Sequence, residues 1–347
     1  MARVELAWEL GAHTGHVSTL LPIGRELKAR GHEVRFFLQQ PQAGADLEGA
    51  GEIPREGAPH WVGPHAHPNP LSVAEIFANF GYADPRSLKD LVDAWRERLW
   101  RSHALVASVA PAAHLAALTL GIPSFEISQG FHVPPPAFPT PPLRDWEPAP
   151  RAQLEGADRR VVGAVNEVLA AYGVASLATI GELFSRRTML LTYPELDIYP
   201  ERGPAGHSGA SLDARLNRSG GCVAISDEPM AVSRLLPQCD LVVCHGSHQM
   251  TAQALLAGKP VLLLPTQLEQ FLITRRVVRA GAGLGVAQGV PQPDFAAAFA
   301  ELAKPAYAAR AVEFAARYQA HDRGAALATM VKRCEAALAQ AEISAGH

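Results

Sequence analysis

At 347 residues, with 48% hydrophobic and 19% charged side chains, the chain is long enough for two domains, each with its own core. No apolar run reaches the roughly 18–20 residues that a membrane-spanning helix needs, so no membrane span is expected. A formal charge of −3 without a basic tail argues against nucleic acid as a partner.

In chain order, Val4–Trp8 reads as a strand. Leu20, Leu21, Ile23 and Leu27 give the next segment the apolar stripe of a helix, Gly31 sits at its C-terminal cap, and Val34–Leu38 is a second strand. This is a βαβ unit, whose crossover joins two parallel strands. Asp84-Pro85 opens a helix continued by Leu88, Leu91, Val92, Trp95 and Leu99. Leu105–Ala107 and Ile122–Ile127 are short buried strands on either side of a helix over 111–120. Eight prolines between Gly130 and Pro150 exclude regular structure and predict a long surface loop, with Phe131, Phe138 and Trp146 either lining a cleft or pinning the loop. A helix resumes over 151–172, and Met189–Leu191 is a further strand. Residues 203–221, with five glycines, read as a flexible linker. Beyond it, strands at Cys222–Ser226, Asp240–Cys244 and Pro260–Leu264 alternate with helices at Pro229–Leu236, 249–257 and 268–280. That alternation predicts a parallel sheet covered on both faces. The last third is Ala-rich and helical. The domain expectation is therefore 1–202, a linker over 203–221, and 222–347.

Met1–Glu9 lacks the features of a signal peptide, and Cys222, Cys239, Cys244 and Cys334 lack paired spacing for a zinc knuckle or a disulfide framework. A cytoplasmic location is the expectation.

The densest chemical signal is Cys244-His245-Gly246-Ser247-His248-Gln249-Met250-Thr251, where an apolar strand ends in a short turn and a helix begins. Such a turn aims backbone N–H groups and the positive end of the helix dipole at one point, where a diphosphate is stabilised without a metal.

The stretch His245–Gly283 resembles the donor-binding signature HGGxGTxxEALxxGxPxxxxPxxxDQ of the UDP-glycosyltransferase and macrolide-glycosyltransferase superfamily. Near the amino end, Gly15-His16, Leu20-Leu21-Pro22 and Arg30–Val34 resemble its opening GHxxPxxxLAxxLxxRGHxV. The AWEL start, the GFHVPPP loop and Pro194–Arg202 are similar to a flavonoid-glycosyltransferase-like bacterial branch. The resemblance implies a GT-B fold of two Rossmann-like α/β domains facing a cleft. It implies inverting, metal-independent transfer of a sugar from a UDP- or dTDP-sugar to the hydroxyl of a small acceptor. No cofactor is implied beyond that co-substrate.

Residue by residue, it implies that His245, Gly246, Ser247, His248, Gln249 and Met250 form the diphosphate turn. Gln253 stands where a glutamate holds the ribose, and Glu269 and Gln270 stand where Asp-Gln meets the sugar. His16 matches the histidine that takes the acceptor proton, a task suited to an imidazole; His13 is a second candidate. Departures are Ser108 in place of the aspartate that orients that histidine, with Glu9 and Glu126 as carboxylates that can substitute for it, and Ser247, Gln249 and Met250 in place of Gly, Gly and Ser/Thr. In the interval before Cys222–Ser226 the family has a full βαβ unit, so the second domain is expected to lack about one such unit. Its sheet edge would then be exposed, or covered by a second copy or a partner chain. A non-catalytic nucleotide-binding or auxiliary protein of the same fold is the alternative, and a nucleotide-sugar epimerase is a third reading disfavoured by the lack of a carboxylate cluster.

Overall fold

The computed structural model describes residues 1–11, 14–185, 187–202, 207–208, 232–286 and 294–345. It divides into two compact units, Met1–Leu190 with Gly324–His347, and Leu191–Arg323. Expectations for His13, for the strand Cys222–Ser226 and for most of 203–221 fall outside the described residues.

The first unit begins with strand β1 (Arg3–Trp8), helix α1 (Gly15–Ala29) and strand β2 (Glu33–Leu38), the predicted βαβ unit. Gly31 adopts φ +88 between α1 and β2, a left-handed position that glycine takes without strain. Strand β3 (Arg55–Gly57) and helix α2 (Val73–Asn79) follow. Helix α3 (Pro85–Leu99) starts where Asp84 accepts from the Ser87 backbone N–H at 3.1 Å, and it buries Leu88, Leu91, Val92, Trp95 and Leu99. Then come β4 (Ala104–Ala107), α4 (Pro111–Thr119), β5 (Ser124–Ser128), α5 (Arg151–Ala171), α6 (Glu182–Ser185) and β6 (Thr188–Leu190).

Among the described residues, six parallel strands form one sheet in the order β3-β2-β1-β4-β5-β6. The order reverses between β1 and β4, and the crevice beyond the strand ends at such a point is where open α/β sheets place their ligands. Both central strands are buried almost throughout, as a sheet covered on both faces requires, and the one charged side chain buried in β1, Glu5, is paired with Arg35 at 2.8 Å. Helix α1 lies close to the sheet because Gly24 has no side chain: a Cβ there would sit 2.5 Å from Leu6 Cδ1 and 2.8 Å from Ile53 Cδ1.

The Pro-rich stretch 130–150 is irregular, as read, but much of it is buried rather than lying on the surface. Thr140 is fixed through its backbone N–H and hydroxyl by Asp158 of α5, and Phe131, Val133 and Leu143 are buried. Phe138 is exposed.

The second unit opens with the segment 191–202. Tyr193 packs its ring 5.3 Å from Phe314 and 4.4 Å from Tyr318, and Arg276 donates to the Pro194 and Glu195 carbonyls. Helix α7 (Val232–Leu235) leads to β7 (Val242–Cys244), α8 (His248–Leu256), β8 (Val261–Leu263), α9 (Leu268–Arg279), β9 (Gly283–Gly285), α10 (Phe295–Leu302) and α11 (Pro305–Arg317). Three parallel strands, β7-β8-β9, are paired among the described residues. Strand β9 is Gly-Leu-Gly, a composition that strand propensity rejects. Packing demands it: a Cβ at Gly283 would lie 2.4 Å from the Val261 carbonyl oxygen, and one at Gly285 would lie 2.3 Å from Thr274 Cγ2.

The last helix, α12 (Arg323–Ala345), returns to the first unit, where Glu335 accepts from Arg30 at 3.2 Å. No helix among the described residues is long and apolar enough to cross a membrane.

Candidate active site

In the first unit, β1 runs out at Trp8, the chain passes Glu9, Leu10 and Gly11, and α1 begins at Gly15, so His16 occupies the first turn of α1 at the reversal point of the sheet. The neighbouring strand β4 delivers Ser108 to the same place. The parallel register Leu6↔Val106 and Ala7↔Ala107 brings the two strand ends level, and the Ser108 N–H donates to the Ala7 carbonyl at 2.8 Å. His16 Nδ1 then lies 3.0 Å from Ser108 Oγ. The imidazole stacks on Trp8, with ring centroids 5.2 Å apart and planes 19° from parallel. Its Nε2 lies over Gly11, where a Cβ would approach to 2.9 Å and where φ is +97. A ring held on one face, at one nitrogen and above a glycine has its orientation set by its surroundings.

The two carboxylates considered as stand-ins for an aspartate are committed elsewhere. Glu9 accepts from the Tyr82 hydroxyl at 2.6 Å and from the Ala112 backbone N–H of α4 at 3.0 Å. Burial pushes its carboxyl up to about 8, against the opposing pull of Tyr82. Glu126 accepts from the Val109 N–H at 2.9 Å and meets His114 Nε2 at 2.9 Å. Ser108 is therefore the group that meets His16 Nδ1.

Sequence reasoning missed His132, in the loop after β5. Burial, with a smaller contribution from the charge of His16, pushes its imidazole down to about 3, so a neutral ring stands near His16. It follows Phe131, which was singled out, so position in that loop was the available signal.

In the second unit, β7 ends at Cys244 and α8 begins at His248, the strand-turn-helix expected there. Gly246 takes φ +81, and a Cβ on it would lie 3.1 Å from the Gln270 carbonyl oxygen, so the turn after β7 packs against the start of α9. Ser247 occupies the N-cap without a side-chain hydrogen bond to the helix. First-turn N–H groups have no intrahelical acceptor. His245 and Ser247 are exposed, while Gln249, Glu269 and Gln270 are half-buried. Gln270 Oε1 accepts from the Thr266 N–H at 2.8 Å and from its hydroxyl at 3.0 Å, closing the turn between β8 and α9. Desolvation pushes the Glu269 carboxyl up to about 7.

The remaining predicted residues turn inward. His248 is 2% exposed, with Nε2 2.6 Å from the Thr192 hydroxyl, and burial pushes it down to about 4. Met250 and Gln253 are 9% and 1% exposed. The structure thus brings His245, Gly246, Ser247, Glu269 and Gln270 around adjoining turns, and puts His248, Met250 and Gln253 on the buried side of α8. Among the described residues, no group of three or more His, Cys, Asp or Glu is placed to hold a metal ion.

No protein-family model matches the chain. It is 38% identical over 84 residues to the elloramycin glycosyltransferase ElmGT of Streptomyces olivaceus, a stretch covering 24% of this chain and 21% of that enzyme. Among solved structures it is similar to the spinosyn rhamnosyltransferase SpnG complexed with thymidine diphosphate. The TM-score is 0.64 at 18% identity, over 96% of this chain and 100% of that one. It is also similar to the Streptomyces sp. SF2575 glycosyltransferase SsfS6 complexed with thymidine diphosphate. There the TM-score is 0.58 at 19% identity, over 96% of this chain and 99% of that one. The fold is the GT-B fold of natural-product glycosyltransferases.

Proposed function

We propose that this GT-B chain is a glycosyltransferase that moves a sugar from a dTDP- or UDP-sugar to the hydroxyl of a small natural-product acceptor. The observation that carries the reading is the His16–Ser108 pair at the point where the order of the first sheet reverses. The thymidine diphosphate bound in two similar structures, and the spinosyn aglycone bound in a third, support the two substrate classes.

In this reading His16 keeps its Nδ1 proton on Ser108 Oγ and offers the Nε2 lone pair to the acceptor O–H. As that proton moves to Nε2, the acceptor oxygen forms its bond to the anomeric carbon. The bond from that carbon to the diphosphate oxygen breaks, and its electron pair leaves with the diphosphate. A single displacement of this kind inverts the anomeric centre. The first-turn amides of α8, with the turn His245-Gly246-Ser247 and Gln249, stabilise the charge that develops on the diphosphate. Glu269 and Gln270 meet sugar hydroxyls, and Gln253 with His248 and Met250 supports the turn from within. The reaction calls for no metal and no cofactor beyond the nucleotide sugar. Ser108 orients the imidazole but supplies no negative charge to the imidazolium, so this base is weaker than one backed by a carboxylate.

The same reading places the protein in the cytoplasm, where nucleotide sugars are held. It assigns any cover over the shortened second sheet to another copy or a partner chain, an inference from the short interval 203–221 alone.

The test has two arms. Thermal melting with dTDP, UDP, dTDP-glucose and UDP-glucose should show stabilisation by at least one of them, and no shift at millimolar ligand would sink the nucleotide-sugar reading. Hydrolysis of the donor that binds should then collapse in His16→Ala. Equal rates in variant and wild type would remove His16 from the mechanism.

A further inference from the structure

The corner that carries Ser108 is strained. Val109, the next residue, has φ +58, a left-handed backbone that a β-branched side chain disfavours. Such a conformation persists where surrounding bonds over-determine it. Here they come from two sides. The Val109 N–H donates to Glu126 Oε1 at 2.9 Å, and its carbonyl accepts from the Glu9 N–H at 3.2 Å and the Leu10 N–H at 3.0 Å. The Val109 peptide therefore ties three things together: the end of β4, strand β5 through Glu126, and the loop that leads from β1 to Gly11 and His16.

Glu126 is itself held. Its register partner is Ala107, the residue before Ser108, and its Oε2 lies 2.9 Å from His114 Nε2 of α4. The His114 ring packs edge-on against Phe184 at 5.6 Å. Glu126 and His114 are 1% and 3% exposed. A buried carboxylate–imidazole pair is weak as a source of stability, because desolvation offsets the attraction, whereas it fixes geometry well. Burial raises the Glu126 carboxyl above its usual range, while His114 and the Val109 N–H pull it the other way.

We propose that Glu126 is a positioning residue for His16. Anchored by His114, it holds the Val109 peptide in its left-handed turn and so aims the Ser108 hydroxyl at His16 Nδ1. The consequence for catalysis rests on the function proposed above; the geometric claim stands apart from it. What matters in this role is the reach of the side chain and an acceptor at its end, not its charge. Glu126→Gln keeps both, since its amide oxygen can still accept from Val109. Glu126→Asp keeps the charge but, one methylene shorter, no longer spans Val109 and His114 together.

The experiment reads the imidazole nitrogens of His16 in the 15N-labelled full chain, assigned by the signals that vanish in His16→Ala. Ser108→Ala sets the displacement of the Nδ1 resonance that follows loss of its partner. Glu126→Asp is expected to displace that resonance in the same direction, and Glu126→Gln to leave it at the wild-type position. Where dTDP-glucose is hydrolysed, Glu126→Asp should lower kcat about tenfold with KM for dTDP-glucose unchanged, a misplaced base costing turnover rather than binding. A wild-type His16 signal in folded Glu126→Asp overturns the proposal. So does displacement by Glu126→Gln but not by Glu126→Asp, which would assign the role to charge. Should Glu126→Asp fail to fold, His114→Leu, which offers Oε2 no donor, is expected to give the same displacement, and an unmoved signal there is equally fatal. Because the resonance needs no turnover, failure to hydrolyse any donor sinks the proposed function and leaves this test intact.

Discussion

Two histidines stand in the first turn of the helix after the strand, one in each unit, each with a ring nitrogen beside a hydroxyl. His16 meets Ser108 at 3.0 Å and is half-buried, stacked on Trp8 above a glycine. His248 meets Thr192 at 2.6 Å and is 2% exposed, and its Nδ1 has no partner among the described residues. Residue type, helix position and partner chemistry are nearly the same. Surroundings separate them: one ring is half-buried with a nitrogen beside Gly11, while the other is sealed in a core where charging it is costly. A histidine at a helix start is thus a candidate base in one unit and a packing residue in the other, and motif position alone does not tell them apart.

Substitution should expose that contrast most sharply at His16. His16→Ala is expected to lower transfer or donor hydrolysis by about 10²–10⁴-fold, with a melting temperature close to wild type. A fall in stability with activity kept would reverse the roles of the two histidines. His248→Ala should do the opposite and cost about 2–4 kcal/mol in urea unfolding, because it leaves a cavity and removes the imidazole partner of the Thr192 hydroxyl. Turnover of the folded fraction should fall far less than in His16→Ala.

The same burial has a pH signature. With the folded imidazole of His248 pushed down to about 4, the unfolded chain binds this proton near pH 6.5 while the folded chain does not. Stability is therefore full above pH 6.5 and declines as pH falls toward 4, by about 3 kcal/mol from this group alone. Unfolding of wild type and His248→Gln at pH 7 and pH 4.5 should show the smaller loss in the variant. Parallel losses would mean that His248 charges freely in the fold. Next in size, Gly246→Ala places a side chain at φ +81 and is expected to cost about 1–2 kcal/mol, read in thermal melting. The smallest effect is at Ser108. Ser108→Ala should lower kcat several-fold, and Ser108→Asp should raise it above wild type by placing a charge beside the imidazolium. A drop in both would mean that the hydroxyl, and not an acceptor in general, is required.

Much of the architecture was legible because the signals are local. Strands buried on both faces announce themselves as short apolar runs, Asp84-Pro85 marks a helix start, and Gly31 marks a helix end. The site was legible as two motifs, one starting at Gly15-His16 and one starting at His245. Less legible was which motif residues face a ligand. His248, Met250 and Gln253 are spaced like site residues, yet the pitch of α8 turns them inward, and only the packing partner of that helix sets which face is buried. Strand β9 escaped notice because its glycines answer to the Val261 carbonyl and the Thr274 side chain, not to strand propensity.

The amino-acid sequence by itself determined the alternation of strands and helices, the turn after Cys244 and the histidine at the head of α1, since each depends on neighbours a few residues away. Tertiary structure alone decided that Ser108 meets His16 across 92 positions of chain and that Glu126 braces the corner between them. It also decided that α12 returns to the first unit. The physical reason is that periodicity and capping specify what an element is and which face is apolar, whereas strand order and register specify what that face meets.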